Sequence, residues 1–495
     1  MRFPWPLSLP LLALAGGVVV ACADDSPNAA PPPVENTVDP DAGKRPPPPD
    51  VDGGDDSDGE PKTFDVAFPH VQSRGGPIIS QPKAIPIVFA GDSLKTQIAD
   101  FNEKLAGSAY WASTATEYGI GALTTAPVIT PSDNAPATTT FLGIEDWLRK
   151  KLSGTVPEFG TPNPNAVYAI YFPASTTIVD DGTGLGQSCQ GYGGYHSSIQ
   201  VGAVEVGYAV MPRCSDIEEL TVAASHEYFE WATDPFPMTR PAYNKLDDDH
   251  WAWGVVMLGE LSDLCTYLDR EYITPPEVGF QVQRHWSNKL SLAGSFPCAP
   301  KKAGTYIQAV PATPDSVVVP DVSDPEGSSL TTKAIKVERG KSRTVDVMMY
   351  SDKPGAHRIG VRVLGYEELM GQKSTTGFSY DPSTTYAQTG SAFQVTIQAP
   401  KSDGYDLAVT LSYLSDTDAT LWPVLVTTKA LASGNGLQAG ADIETAFRRL
   451  AASARARRVP TTTAGLPKPV KYADGSFEKW VPGFGRLLIP PPPKQ

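Results

Sequence analysis

The sequence predicts an α+β domain of mixed sheet and helices, followed by an all-β sandwich domain. Two observations predict the first domain: buried-strand patterns recur at 84–90, 166–173 and 202–211, and helical patterns alternate with them. A third observation predicts the second domain, because short β-rich runs separated by turn residues begin near residue 305. The length of the chain is also natural for two hydrophobic cores.

Each element follows from a local pattern. The first strand, at 84–90, is an apolar run that ends at Gly91-Asp92, and amphipathic patterns predict helices at 94–105 and 145–152. In the second domain, β-branched and aromatic residues concentrate in short runs between turns. These runs predict sandwich strands at 333–337, 344–350, 358–363, 393–398 and 405–413.

The N-terminus predicts export. Residues 1–21 have the form of a signal peptide, because the apolar run at 7–20 is too short to span a bilayer. Ala21 directly before Cys22 resembles the lipobox of bacterial lipoproteins, which implies acylation of the Cys22 thiol and attachment to a membrane. Ala23, in place of an aspartate, favours the outer membrane or the cell surface as the location in the bacterial cell envelope. The alternative is an ordinary signal peptide with an incidental cysteine.

Residues 22–62 are predicted to form a disordered tether behind the lipidated cysteine. The stretch after Cys22 holds proline runs and eleven Asp and Glu against three Lys and Arg, so it carries −8 of the net charge of −15. Clustered like charge with low hydrophobicity cannot form a core. The rest of the chain has no basic stripe, so nucleic acid is not an expected partner. The remaining predicted units are the α+β domain at 63–300, the sandwich at 301–430 and a C-terminal extension at 431–495.

The cysteines predict two disulfides. Four of the five cysteines follow the lipidation site, and an even number in an exported chain is typical of disulfide pairing. Three pairings are possible, and proximity along the chain favours Cys189–Cys214 and Cys265–Cys298. A four-cysteine zinc site is not expected, because the chain lacks closely spaced C-x-x-C pairs.

One motif has the spacing of a metal site. The pattern H-E-x-x-E places His226 and Glu230 one helical turn apart, with Glu227 next to the histidine. This spacing presents two side chains to one metal ion and holds a carboxylate near it. It is a variant of the zinc-peptidase pattern H-E-x-x-H in which Glu230 replaces the second histidine. The alternative is a solvated i,i+4 pair worth about 0.3 kcal/mol.

The helix that carries the motif is predicted to span 216–233. Ser215 is the candidate N-cap, with Glu218 three residues later as in a capping box, and Pro235 ends the helix. Apolar residues cover most of its circumference, which is typical of a buried helix. Because enclosed charges without partners are costly, a cation between the polar side chains is favoured.

Several motifs together resemble a group of uncharacterised bacterial exported proteins, abundant in myxobacteria-like organisms and often predicted lipoproteins. The shared motifs are S-H-E-x-x-E-x-x-T-D-P at 225–235, G-E-x-x-D-x-C at 259–265, W-S-N at 286–288 and a signature at 189–197. The resemblance spans roughly residues 64–300. Through the helix motif it implies a link to gluzincin-type zinc metallopeptidases, and hence a metallopeptidase-like α+β domain.

The resemblance also implies a third ligand. Zinc peptidases related to thermolysin take this ligand from a glutamate on a later helix, and Glu260 lies thirty-four residues after His226 (260 − 226). Asp263, one turn further, is expected to orient a ligand as an outer carboxylate. The alternative for both acids is a solvated helix surface.

If the domain is an enzyme, its residues have distinct roles. His226, Glu230 and Glu260 would hold zinc with a position open for water, and Glu227 would transfer a proton to the leaving amine of a peptide or protein substrate. Two carboxylate ligands donate more charge than imidazoles, which predicts weak activity or a harder cation. His196 or His285 would supply an oxyanion donor or replace a missing ligand, unless they are structural.

Two alternatives stay open. The first is a non-catalytic surface adhesion or binding protein with a structural metal or none. The second concerns Asp247-Asp248-Asp249, where three carboxylates could bind calcium. They lack the alternation of a calcium loop, so a solvated acidic turn is favoured.

Overall fold

Strands predominate in a fold that mixes helices with several β-sheets. The computed structural model describes residues 60–154, 156–179, 187–190, 192–237, 239–257, 259–266, 272–301, 303–321, 328–369, 371–415, 418–428, 470–471, 473, 475–481, 485–489 and 491–492. These residues all belong to one compact unit, Ser57–Gln495. The predicted signal peptide, Cys22 and most of the tether lie outside the described residues, as does 429–469 of the predicted extension.

The part of the chain before residue 301 alternates strands with helices. Its strands are β1 Val71–Gln72, β2 Lys83–Val88, β3 Thr124–Thr125, β4 Thr138–Thr140, β5 Ala166–Phe172, β6 Thr177–Val179, β7 Tyr195–Val201, β8 Val204–Pro212, β9 Lys245–Leu246, β10 Tyr272–Ile273, β11 Val282–Gln283, β12 His285–Trp286 and β13 Cys298–Ala299. Its helices are α1 Lys95–Leu105, α2 Ala109–Ala115, α3 Phe141–Lys151, α4 Ile217–Thr233, α5 Trp251–Met257, α6 Asp263–Thr266 and α7 Asn288–Leu292. The predicted strands correspond to β2, β5 and β8 and the predicted helices to α1 and α3, so these predictions are confirmed.

The central sheet has five strands in the order β3-β2-β5-β8-β7. The first four are parallel, whereas β7 pairs antiparallel with β8. Every residue of β5 is buried, because helices cover both faces of the sheet. Its side chains alternate between two cores: Val167 and Tyr171 pack with α1 and α4, and Tyr168 and Ile170 pack with α3.

Helix α4 lies directly against β8. At Gly207 a Cβ would collide with the indole of Trp231, so a side chain there would push the helix away from the strand. From Leu220 to Thr233 nearly every residue of α4 is buried, which confirms the predicted buried helix. Helix α4 ends at Thr233, two residues before Pro235, as predicted.

The predicted N-cap of α4 is wrong by one residue. Asp216, not Ser215, caps the helix, because its side chain accepts hydrogen bonds from the N–H groups of Glu218 and Glu219. One carboxylate thus satisfies two of the free amide groups at the helix start. Its negative charge also complements the positive end of the helix dipole.

Beyond residue 306 the chain forms two facing sheets. Their strands are β14 Ile307–Pro311, β15 Asp315–Pro320, β16 Ser329–Lys336, β17 Ser342–Ser351, β18 Arg358–Gly365, β19 Ser379–Asp381, β20 Thr384–Gln388, β21 Ala392–Gln398, β22 Tyr405–Tyr413 and β23 Ala419–Thr427, with helix α8 at Tyr366–Leu369. The sheet orders are β14-β17-β21-β19 and β15-β16-β23-β22-β18-β20. Val347 and Val395 from the first sheet line the same interior as Val363 and Val424 from the second. Each of the five runs predicted as sandwich strands overlaps a strand.

Aromatic side chains join the sandwich to the first part of the chain. The rings of Trp253 and Trp422 meet edge to face at 5.1 Å, and those of Phe68 and Tyr350 at 4.7 Å. Near the C-terminus, β24 Val470–Lys471, β25 Phe477–Val481 and β26 Gly485–Ile489 form a three-stranded sheet that the sequence did not predict.

Two disulfides join the predicted pairs. Cys189 is bonded to Cys214, and Cys265 is bonded to Cys298, so this pairing is confirmed. Disulfides are typical of chains that leave the reducing cytosol. Within the described residues, no helix combines the length and apolar character needed to cross a membrane.

Candidate metal centre

Helix α4 places the three residues of the motif in a buried cluster. His226 is 9% exposed, Glu227 5% and Glu230 3%. Since His226 and Glu230 are four residues apart, they lie on one face of the helix, and their Nε2 and Oε2 atoms are 2.9 Å apart. The structure thus brings these two predicted ligands together in a place that water barely reaches.

The turn before α6 completes this side of the cluster. The backbone N–H groups of Ser262 and Asp263 both donate hydrogen bonds to Oε1 of Glu230, at 3.0 and 3.1 Å. Oδ1 of Asp263 lies 3.4 Å from Nε2 of His226. The predicted outer carboxylate is therefore in direct contact with a predicted ligand, and it is the more exposed member of the pair, since its side chain is 21% exposed.

Gln283 fixes the tautomer of His226. Its side-chain NH₂ group donates to the carbonyl of Ser262 at 2.6 Å and to Oγ1 of Thr266 at 3.1 Å. Its Oε1 is consequently the atom that faces Nδ1 of His226, at 2.9 Å, so Nδ1 must carry the hydrogen. A neutral His226 then presents a free lone pair on Nε2 toward Glu230 and Asp263. This arrangement is typical of histidines that bind metals.

His196 approaches the same cluster from the sheet. It lies on β7, and its Nδ1 is 3.3 Å from Oε2 of Glu227 and 3.8 Å from Oε2 of Glu230. The side chain is 4% exposed, and its other nitrogen has no hydrogen-bond partner within the described residues. At Gly194, just before this strand, a Cβ would lie 2.7 Å from Oε1 of Glu227. The carboxylate of Glu227 is therefore held between a glycine backbone and an imidazole.

The predicted three-residue ligand set is divided between two groups. Among the described residues, ligand atoms of His226, Glu230 and Asp263 lie within 4.8 Å of one another, and so do those of His196, Glu230 and Glu260. Glu230 belongs to both groups, whereas His226 and Glu260 fall in different ones. The expected position of Glu260 on a later helix is wrong, because it lies in the turn before the four-residue helix α6.

Excess negative charge dominates the electrostatics of the cluster. Burial and the charge of Glu230 raise the pKa of Glu260 well above its usual range and that of Asp263 to about 7. Burial also opposes ionisation of Glu230, but His226, His196 and a hydrogen bond from Glu260 together outweigh it and lower its pKa to about 2. Burial lowers the pKa of His226, yet the charges and hydrogen bonds of Glu230, Asp263 and Glu227 together outweigh it and raise the pKa. Such perturbed carboxylates gathered around imidazoles are typical of functional sites.

His285 lies behind the cluster and belongs to neither group. Its Nδ1 is 2.9 Å from Oγ of Ser262, and its Nε2 is 2.7 Å from the hydroxyl of Tyr110. Its ring stacks on Phe229 with a centroid distance of 4.0 Å. With both nitrogens occupied, His285 supports the turn that holds Glu230 and does not supply a ligand in this arrangement.

The acidic run at 247–249 separates into two kinds of residue. Asp247 is buried and faces His70 and His250, while Asp248 and Asp249 are exposed. Asp247 belongs to no group of potential ligands within the described residues. The predicted solvated acidic turn is therefore correct for Asp248 and Asp249 and wrong for Asp247.

Sequence reasoning missed the residues that support the ligands. Gln283, Ser262 and Gly194 act through contacts between segments far apart in the chain. No motif surrounds Gln283, so no signal in the sequence marks it. Ser262 lies inside the motif at 259–265, but its role depends on a backbone N–H that every residue except proline carries.

Comparison with known proteins identifies no family. No protein-family model and no curated protein matches the chain. Among solved structures, SSP-19, an MSP-domain protein like family member from Caenorhabditis elegans, is 15% identical over 20% of this chain and 94% of that chain, with a TM-score of 0.15. The ASH/PapD-like domain 7 of human CEP192 is 9% identical over 28% and 96%, with a TM-score of 0.18. Domains 4 and 5 of the S-layer protein SbsC are 14% identical over 29% and 89%, with a TM-score of 0.14. Likenesses this weak carry no argument about function.

Proposed function

We propose that this chain is an exported, lipid-anchored protein whose α4 cluster binds divalent metal and hydrolyses peptide bonds. One observation carries the proposal: two imidazoles and several carboxylates converge in a buried place, with Glu230 at their centre. Imidazole nitrogen and carboxylate oxygen are ligands for zinc and for harder ions such as Mn²⁺. The export part rests on the N-terminal sequence and is supported by the two disulfides, whereas the anchoring part rests on the N-terminal sequence alone.

The donor set fits a cation. In neutral His226 the Gln283 amide keeps the hydrogen on Nδ1, so Nε2 offers a lone pair, and Oδ1 of Asp263 lies 3.4 Å from that nitrogen. Two ligands of one tetrahedral zinc ion are about 3.4 Å apart, given metal–ligand bonds near 2.1 Å. A bound cation would supply Lewis acidity to a peptide carbonyl and make water a better nucleophile.

Glu227 would be the general base. Its carboxylate lies beside the ligand cluster, where His196 and Gly194 hold its position. It would accept the proton of the attacking water and return it to the leaving amine. Positioned proton transfer of this kind contributes roughly 10²–10⁴-fold in rate.

Burial of the cluster favours a second candidate, a binding protein with a structural metal. Glu227 and Glu230 are nearly inaccessible, whereas a catalytic ion needs a position open to substrate. The two candidates agree on the metal and differ in the role of Glu227. If the metal is only structural, the parent and a Glu227 variant should not differ in peptide cleavage.

The test uses the full-length chain and a mixed peptide library. We expect metal to copurify, as measured by inductively coupled plasma mass spectrometry, and Glu227→Gln to lower cleavage at least 100-fold while retaining the metal. Glu218→Gln, on the exposed first turn of the same helix, is the matched control and should cleave like the parent. Metal without Glu227-dependent cleavage would favour the structural role, and a chain that binds no added Zn²⁺ or Mn²⁺ would overturn both.

A further inference from the structure

The cluster around Glu230 holds more ligands than one cation uses. The set on the α6 side is His226 with Asp263, and the set on the β7 side is His196 with Glu260. Each pair combines one imidazole with one carboxylate, and each forms a group with the same residue, Glu230. A structural zinc site is complete with four ligands, so five candidate side chains point beyond a single ion.

The orientation of Glu230 suits a shared ligand. Its Oε1 is occupied by the backbone N–H groups of Ser262 and Asp263. Its Oε2 is thereby turned toward both histidines, 2.9 Å from Nε2 of His226 and 3.8 Å from Nδ1 of His196. Because the two amides fix the carboxylate, Oε2 of Glu230 faces His226 and His196 in the same rotamer.

His196 provides an independent sign of a missing partner. Its side chain is 4% exposed and lies against Glu227 and Glu230. One of its ring nitrogens has no hydrogen-bond partner within the described residues. A buried polar atom without a partner is costly and rare in folded proteins, unless an ion or water occupies its surroundings.

Carboxyl groups outnumber histidines in the cluster. Five of them, belonging to Glu227, Glu230, Asp234, Glu260 and Asp263, lie near His196 and His226. Buried carboxylates need compensating partners, and a cation on each side of Glu230 would supply them to both groups.

We infer that Glu230 bridges two divalent cations, one held with His226 and Asp263 and the other with His196 and Glu260. This inference rests on the proposed metal binding and extends it from one ion to a pair. In two-metal hydrolytic sites the ions lie about 3.5–4 Å apart and act together on the attacking and leaving atoms. The carboxylate-rich ligands favour a hard cation such as Mn²⁺ as the probe.

The experiment measures how many Mn²⁺ ions the full-length chain binds and whether they interact. Equilibrium dialysis against Mn²⁺ followed by elemental analysis should give two ions per chain. Electron paramagnetic resonance should show an exchange-coupled Mn²⁺ pair in place of the six-line signal of isolated ions. One ion per chain, or two ions with uncoupled signals, would overturn the bridged pair.

Variants assign each ion to its side. His196→Ala and Asp263→Asn should each reduce binding from two ions to one and abolish the coupled signal. Glu230→Gln should also abolish the coupled signal, because it changes the ligand that the two ions share. His250→Ala, in a buried histidine–aspartate pair outside the cluster, is the control and should keep two coupled ions. One ion per chain with Glu227-dependent cleavage would overturn the pair and leave the proposed function standing. Absence of bound Mn²⁺ would overturn the pair, and absence of bound Zn²⁺ in a parallel dialysis would overturn the proposed function as well.

Discussion

Two clusters within the described residues each combine two histidines with buried acid, yet only one of these two has the composition of a cation site. In the first, Asp247 alone faces His70 at 3.2 Å and His250 at 2.7 Å. In the second, His196 and His226 lie among five carboxyl groups, of which Glu230 is the central one. The pattern of residue types is similar, but the ratio of acids to histidines is reversed.

The difference shows which features favour the proposed metal centre. Around Asp247 every partner is supplied by the protein, since His250 also contacts the carbonyl of Ala67 and His70 also donates its backbone N–H. Around Glu230 the acids outnumber the histidines, and a nitrogen of His196 lacks a partner within the described residues. An excess of acids together with an unpartnered imidazole nitrogen, more than the presence of histidine, therefore favours a bound ligand.

A third buried acid extends the comparison to a site without histidine. Asp406 in β22 is 3% exposed and accepts a hydrogen bond from the hydroxyl of Tyr380 at 2.7 Å. Burial raises its pKa to about 6, because hydroxyl partners compensate only in part. At Asp406 a bound proton removes the cost of a buried charge, whereas at Asp247 the two histidines compensate for that charge.

The largest expected effect concerns this third acid. Since the fold raises the pKa of Asp406 from 3.8 to about 6, its contribution to stability is full below about pH 4 and is lost as pH rises through about 6. Relative to Asp406→Asn, the parent should lose about 3 kcal/mol of unfolding free energy between pH 3 and pH 8. Urea denaturation across this range measures the difference. Asp403→Asn, an exposed neighbour, should leave the pH profile of the parent unchanged, and parallel profiles for Asp406→Asn would contradict the assignment.

A smaller effect is expected at Asp247. Replacing it by Asn removes a charge that two imidazoles and a backbone N–H contact, which should cost about 2 kcal/mol in unfolding free energy at pH 7. The histidines hold the pKa of Asp247 below its usual range, even though burial opposes this. The advantage of the parent over the variant is therefore present above about pH 4 and should shrink as pH falls further.

The control for Asp247 is its exposed neighbour. Asp248→Asn breaks only a surface ion pair with Lys245 and should cost less than about 1 kcal/mol. Neither variant should change the number of bound Mn²⁺ ions. A loss of metal in Asp247→Asn would break the distinction between the two clusters.

The smallest expected effect is at Gln283. Gln283→Leu removes the acceptor that keeps hydrogen on Nδ1 of His226, so we expect metal affinity to fall about tenfold. The loss is limited because the backbone contacts to Glu230 remain. Competition with a chelator measures the affinity. Gln308→Leu removes another fully buried glutamine, in β14, and should leave affinity unchanged. Equal losses in both variants would indicate a general effect of stability.

The sequence predicted the elements whose pattern is local. Apolar runs defined β2, β5 and β8, and the buried circumference of α4 followed from its composition. The contact between His226 and Glu230 was also predictable, because it depends only on helical spacing. The disulfide pairs followed from separations of 25 and 33 residues.

Features that depend on tertiary contacts were not predictable. Asp263 rather than Glu260 reaches His226, because the turn before α6 docks its amides on Glu230 and so sets the direction of each side chain. The approach of His196 depends on β7 lying antiparallel at the edge of the sheet beside β8. Spacing along the chain contains no information about either contact.

The bond between Cys265 and Cys298 has a consequence for the timing of assembly. Cys265 lies two residues beyond Asp263, and the loop that the bond closes contains Gln283. A covalent tie of this kind forms only where thiols oxidise, which is outside the cytosol. Under the proposed function, the ligand shell is completed only after export, so the ions outside the cytosol, rather than those inside it, would determine which cation is bound.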